Sequence, residues 1–281
     1  MAREDGVGDG PRTWHYGLVA RWWAEFNEAD PGELAFYQGI VVRDGQPALD
    51  LACGAGRLLL PLLRAGLNVD GVDCSPDMLS HCRELAAREG LAPRLYQQAM
   101  HTLDLPRAYR TIFICDSFGI GGDRADDAET LRRCYRHLAP DGTLVFSHYL
   151  PYDNPERWVY WLPERNVELP QPWLASEPRR RAANGDELSL STRLAALDPL
   201  AQRETLQIRA RLWRDDELVQ EEEGVLVENR YFQDEVLTML ARAGFTGVEV
   251  RAGYGTRLAT AADTMVVFIA RKAAEPPSTR E

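Results

Sequence analysis

Between residues 46 and 150 the chain repeats one texture: a short apolar run, then a stretch whose apolar residues recur every three or four positions. The runs predict strands at 48–52, 69–73, 94–98, 111–115 and 143–148, and the stretches between them predict helices at 57–65, 76–88 and 127–138. Strand and helix in strict alternation imply repeated βαβ units, hence a parallel sheet with helices on both faces. The second helix is the best punctuated, with Ser75 as N-cap, Pro76 in the first turn and Gly90 just past its end.

Past residue 186 the period drops to two. Leu188, Leu190, Thr192 and Leu194 alternate with Ser189, Ser191 and Arg193, and Leu206, Ile208, Ala210 and Leu212 alternate with Gln207, Arg209 and Arg211. With a weaker run at 225–227, this predicts a three-stranded antiparallel meander with one wet face. A helix at 233–243, a stop at Gly244 and strands at 248–251 and 264–270 complete the pattern. The ends, 1–11 and 273–281, hold too few apolar groups to repay ordering and are expected to be disordered.

Composition narrows the function. At 281 residues and 45% hydrophobic content the chain can bury a sizeable core. Lys and Arg total 32 against 43 Asp and Glu, and the resulting charge of −11 disfavours a nucleic-acid partner. Cys53, Cys74, Cys82, Cys115 and Cys134 form no metal spacing and fall mostly in apolar segments, as free thiols of a reducing cytoplasm do. No run is long enough to span a bilayer, so no membrane partner is expected and the protein reads as cytoplasmic.

Candidate chemistry centres on Ala48-Leu-Asp-Leu-Ala-Cys-Gly-Ala-Gly-Arg57, which places Asp50 at a strand's end, then Gly54 and Gly56, then a helix start. Glycines let backbone amides approach a ligand, and a helix N-terminus favours a carboxylate. A second strand ends at Asp73, placed to accept both hydroxyls of an adenosine ribose. A nicotinamide dehydrogenase has a similar outline. Its fingerprint, however, carries a third glycine where Leu59 stands here, and Asp50 would face phosphates with an anion. Asp50 suits a ligand bearing an ammonium group instead.

These two segments, Asp50-Leu-Ala-Cys-Gly-Ala-Gly56 and Gly71-Val-Asp-Cys-Ser-Pro-Asp-Met-Leu79, resemble the first two motifs of the class I S-adenosylmethionine (SAM)-dependent methyltransferases. Leu237-Thr-Met-Leu-Ala-Arg-Ala-Gly-Phe245 resembles that family's penultimate helix. The resemblance runs over roughly residues 14 to 272 and is strongest from 46 to 150. It implies an α/β, Rossmann-like, seven-stranded, mostly parallel sheet with an antiparallel last strand. The implied segments are N-terminal lid helices at 1–45, a SAM-binding core at 46–150, an acceptor-side insertion with the meander at 151–231 and a closing helix and strands at 232–272.

The implied activity is methyl transfer from SAM to an N or O atom of a small-molecule acceptor, leaving S-adenosylhomocysteine (SAH). The alternatives are a non-methylating SAM enzyme of the same fold and a non-catalytic binding protein. By the same resemblance, Asp50 and the loop of Cys53, Gly54, Ala55 and Gly56 hold the methionine part of SAM. Asp73 and Cys74 face the ribose, and Met78 covers one adenine face. The acid the family commonly carries after strand three is missing, so the adenine amino group falls to the Gln98 amide or to backbone around Ala99 and Met100. Cys115 and Ser117 border the cofactor. Ala52 stands where the family usually has its first glycine. The stretch Trp14–Phe26 resembles a lid helix, with Tyr16 and Trp23 two turns apart on one face, or else it is an amphipathic helix packed on the core.

Acceptor chemistry belongs beyond the carboxyl ends of strands four and five. His148 is the first candidate for a general base, with a hydrogen-bonded structural histidine as the alternative. Asp116 either orients an acceptor, caps a turn or touches the methionine end. Phe118, Tyr149, Trp158 and Trp161 are candidates for an apolar acceptor wall, or pack the meander on the sheet. No metal is expected. The chain reads as a monomer or homodimer.

Overall fold

A computed structural model of the chain describes residue 13 and residues 15–274; the expected disorder at 1–11 and at 275–281, and Trp14, lie outside the described residues. Ala273 and Ala274 have no regular structure.

Two helices lead, α1 (Gly17–Phe26) and α2 (Pro31–Asp44). The alternating core follows as β1 (Ala48–Leu51), α3 (Leu59–Arg64), β2 (Val69–Asp73), α4 (Pro76–Arg88), β3 (Leu95–Gln97), β4 (Tyr109–Ile114), α5 (Arg124–His137) and β5 (Leu138–Tyr149). Two single-turn helices, α6 (Pro155–Trp158) and α7 (Pro163–Asn166), precede a second sheet of β6 (Arg180–Arg181), β7 (Glu187–Asp198), β8 (Arg203–Arg214) and β9 (Glu217–Asn229). The chain then returns to the core through α8 (Gln233–Ala243), β10 (Thr246–Ala252) and β11 (Met265–Arg271).

The main sheet runs β10-β11-β5-β4-β1-β2-β3. β1 pairs in parallel with β2 and β4, as do β2 with β3 and β4 with β5, while β11 is antiparallel to both β5 and β10. The expected Rossmann-like sheet is therefore present. Its two faces are coded by alternate residues. Leu49, Leu51, Ile112, Ile114, Leu144 and Phe146 pack with Leu131 and Cys134 of α5 and Val236 and Leu240 of α8. Ala48, Phe113, Val145 and Val267 face the other way, onto Tyr37 and Ile40 of α2, Leu59 and Leu62 of α3 and Leu79 and Cys82 of α4.

The second sheet differs from expectation in two respects. It has four strands, because the two-residue β6 pairs with β7, and its third long strand starts at Glu217. The start of β9 is an exposed edge whose Glu221, Glu222 and Glu223 carry no apolar signal. Nor is the polar face wet. Trp173 lies across it between the guanidinium groups of Arg193 and Arg209, at 4.5 and 4.2 Å from its ring. Glu177 accepts a hydrogen bond from Ser189 at 3.0 Å and pairs with Arg211. The apolar face, Leu188, Ile208, Ala210 and Leu212, holds Leu18 and Val19 of α1 with Trp22, Trp23 and Phe26. Helix α1 and the second sheet are thereby packed together.

Candidate active site

A cavity of about 830 Å³ opens at the carboxyl ends of β1, β2, β3 and β4, beneath α1. Its floor is the turn after β1, where Cys53, Gly54, Ala55 and Gly56 lead to α3. Gly56 has φ +93°, and a Cβ there would come within 2.8 Å of Cys82 Sγ and Leu60 Cγ, so its glycine permits tight packing of the turn on α4. At Gly54 a Cβ would meet nothing within 4 Å, which marks the side of the turn open to a ligand. Ala52 adopts φ +70°, a conformation that strains a residue with a Cβ.

Asp73 ties this turn to the next one. Its Oδ2 accepts from the Gly54 amide at 2.9 Å and its Oδ1 from the Ser75 amide at 2.8 Å. Burial pushes its carboxyl up, and the hydrogen bonds from the Ser75 and Gly54 amides oppose that shift. Each oxygen keeps a lone pair for a ligand hydroxyl. Ser75 caps α4 through its bond from the Met78 amide, and Cys74 and Met78 line the cavity.

Gln98, Ala99 and Met100 line the far end. The Gln98 amide is committed at both ends to Asp104, donating to its carbonyl at 3.0 Å and accepting from its amide at 2.8 Å. It closes the 98–104 loop, which leaves backbone at Ala99 and Met100 to face an occupant. Trp23 roofs the cavity beside His15, their rings 6.1 Å apart, and burial lowers the His15 pKa to about 4. Tyr16 is 37% exposed and outside the lining, its hydroxyl donating to the Cys74 sulfur.

Asp50 also sits outside the lining. It is buried under the turn, accepts from the Leu59 amide in the first turn of α3, and burial pushes its carboxyl up to about 8 against the pull of Arg57. At neutral pH this acid is therefore mostly protonated in the protein alone, and it holds the turn from below.

At the opposite end lies a constellation that no local motif announces. Glu33, from the first turn of α2, is buried and bonds the Arg57 guanidinium; it also accepts from the Cys115 thiol at 2.8 Å and the Tyr254 hydroxyl at 3.1 Å. Arg57 Nη2 donates to Cys115 Sγ at 3.2 Å and stands 4.0 Å from Asp116. Ligand atoms of Glu33, Cys115 and Asp116 lie within 4.8 Å of one another, and the guanidinium supplies the positive charge among them. Asp116, at φ +53°, closes the group: its amide donates to Ser147 Oγ at 2.8 Å, and its Oδ1 accepts from Ser147 at 2.6 Å and from Tyr254 at 3.4 Å. Asp116 and Ser117 both line the cavity, and Ser117 donates to the Cys115 carbonyl at 3.0 Å.

Several expected acceptor residues lie elsewhere. His148 is buried, its Nε2 donates to the Tyr231 carbonyl at 2.9 Å, and burial lowers its pKa to about 4, so it is held as a structural histidine and is not part of the cavity lining. Phe118 is core, packed against Phe146 and Tyr231 at 4.9 and 5.7 Å. Trp158 stacks on Trp161 at 5.1 Å and both meet Phe232 edge-on, which joins the insertion to α8. Tyr149 is 40% exposed and outside the lining. The residues missed are Glu33, Arg57, Ser147 and Tyr254. Arg57 follows Gly56 directly and was within reach of the motif; the other three sit in unrelated segments.

Residues 48–142 match the methyltransferase domain family. A protein of Geobacillus sp. (strain WCH70) that is named as a methyltransferase is 31% identical over 105 residues, 37% of this chain; the chain spans 42% of that relative's length. Among solved structures, a S-adenosylmethionine-dependent methyltransferase from Clostridium acetobutylicum ATCC 824 superposes with a TM-score of 0.70 at 18% identity, covering 91% of this chain and 98% of its own. The sugar N-methyltransferase KedS8 from Streptoalloteichus sp ATCC 53650 gives 0.68 at 17% identity, covering 97% and 98%. At such identities what is shared is the fold. Residues 48–142 thus match a methyltransferase domain, and the chain shares the fold of solved S-adenosylmethionine-dependent methyltransferases.

Proposed function

We propose that the protein transfers a methyl group from SAM to an N or O atom of a small molecule held in the 830 Å³ cavity. One observation carries the reading: Asp73 clamps the Gly54 turn on the floor of a cavity large enough for a nucleoside, within the segment that matches a methyltransferase domain. The Gly54–Gly56 amides hold the methionine end, Asp73 the ribose hydroxyls, and Met78 with backbone at 99–100 the adenine. Bound there, SAM supplies a methyl carbon on a sulfonium sulfur, and an acceptor lone pair forms the new bond as the carbon–sulfur bond breaks with its electrons returning to sulfur. The protein's task is to hold the acceptor in line and exclude water, which Trp23 and the α1–α2 link, lining the cavity from above, are placed to do.

A small acceptor agrees with the −11 charge, which repels a phosphate backbone, and no helix among the described residues is long and apolar enough to cross a membrane. Sugar N-methylation, the activity named for KedS8, is one instance of this class. Titration calorimetry with SAH is the direct test. Binding is expected, and Asp73→Ala should weaken it by about 100-fold through loss of two charge-assisted hydrogen bonds. No heat with SAH, together with binding of a nicotinamide dinucleotide, overturns the reading.

A further inference from the structure

Building on the methyltransferase reading, we infer that the acceptor presents an amine to Asp116, and that Tyr254 and Ser147 are the residues positioning that carboxylate. Asp116 is the acid at the carboxyl end of β4 that lines the cavity, and its side chain is one-third exposed. Its geometry is fixed from several directions. The backbone is held at a positive φ by the amide bond to Ser147 Oγ, Ser147 sends its hydroxyl hydrogen to Oδ1, and the Tyr254 hydroxyl, whose shorter bond at 3.1 Å goes to Glu33, stands 3.4 Å from the same oxygen. Oδ2 stands 4.0 Å from Arg57 Nη2, beyond hydrogen-bond reach, so it keeps acceptor capacity. An anion held this way, with one oxygen engaged and the other open, takes an N–H donor and favours one carrying charge.

The charges around it choose between acceptor classes. Each cation of the cavity wall is engaged among the described residues: Arg57 by Glu33, and Arg64 by Glu89. His101 faces Asp126 at 4.0 Å. The acids are not balanced in the same way. Glu28 lines the cavity from the α1–α2 link and forms no ion pair among the described residues. An anionic acceptor would enter a wall with no spare cation, and a neutral alcohol would leave Asp116 only the Arg57 guanidinium at 4.0 Å, a charge already shared with Glu33. A primary or secondary amine, entering as its ammonium, meets Asp116 in a cavity whose wall also carries Glu28. On releasing a proton to water, it offers a lone pair while a remaining N–H stays with Oδ2.

The test uses the SAH-loaded full chain and two matched pairs of probes, an amino sugar against its hydroxyl counterpart and benzylamine against benzyl alcohol. Calorimetry should show each amine binding at least tenfold more tightly than its alcohol. Asp116→Asn should abolish that preference, and Tyr254→Phe should reduce it severalfold, both with SAH affinity unchanged. The ratio of amine to alcohol affinity separates positioning from a merely structural role, since general loosening lowers both together. Equal binding of amines and alcohols, no detectable amine binding to the SAH-loaded protein, or an undiminished preference in Asp116→Asn each overturn the amine inference alone. Failure of SAH itself to bind overturns the reading beneath it.

Discussion

The two ends of the cavity are built on opposite plans. The cofactor end comes from consecutive residues: the turn Cys53–Gly56, Asp73 with Cys74 and Ser75, and backbone at Ala99 and Met100, each directly after its own strand. Its polar work falls largely to backbone amides. The acceptor end is assembled from α2, the turn before α3, the ends of β4 and β5, and the connection after β10, which supply Glu33, Arg57, Asp116, Ser147 and Tyr254. Its polar work is done by side chains that satisfy one another. A ligand common to a family can be held by a motif, whereas specificity for one acceptor is set by groups that meet only after folding.

That contrast can be broken by substitution. The largest effect is expected at the long-range end. Arg57→Met strands Glu33, whose side chain is 4% exposed, without its partner, and should cost about 3 kcal/mol in denaturant unfolding. A loss below about 1 kcal/mol would mean that the Cys115 and Tyr254 hydrogen bonds suffice for Glu33.

An intermediate effect is expected beneath the turn. Asp50 titrates at about 8 in the folded protein and in the ordinary carboxylate range when unfolded, so the folded state binds the extra proton between those values. Its contribution to stability is complete below about pH 4 and is lost as pH rises through about 8. Asp50→Asn lacks this linkage, and its stability relative to the parent should therefore rise by on the order of 2 kcal/mol between roughly pH 5 and pH 7. A flat difference across that window would show that Asp50 is ionised in the fold.

The smallest effect sharpens the comparison. Ala52→Gly relieves the strain at φ +70° and should stabilise the protein by about 1 kcal/mol, read as a raised melting temperature. The opposite sign would show that the Ala52 methyl is worth more than the strain.

Much of the fold was legible because each feature has a short period or a local cap. β2, α4 and α8 fall on their expected bounds, Val69–Asp73, Pro76–Arg88 and Gln233–Ala243, since apolar periodicity and the Ser75 and Gly244 punctuation sit within a few residues of each end. The early part of β9 was invisible because an exposed edge strand needs no apolar alternation, and the strap of Trp173 and Glu177 was invisible because its partners are cation and aromatic faces on other strands. In the site, the expected turn residues and Asp73 do lie together along the cavity. The aromatic run at 157–162 was ambiguous between pocket and packing, and the structure places Trp158 and Trp161 in packing against Phe232.

By itself the sequence determined the sheet, its order of strand and helix, and the glycine turn that lines the cavity, since these depend on contacts between near neighbours and on backbone freedom at single positions. Only the tertiary structure decided which titratable groups share a space. Burial made His148 a core histidine and Asp50 a weak acid, and it brought Tyr254, 221 residues distant in sequence, to Glu33. The physical reason is that solvation and long-range pairing, which set the charge and orientation of a side chain, belong to its surroundings in space and not to its neighbours along the chain.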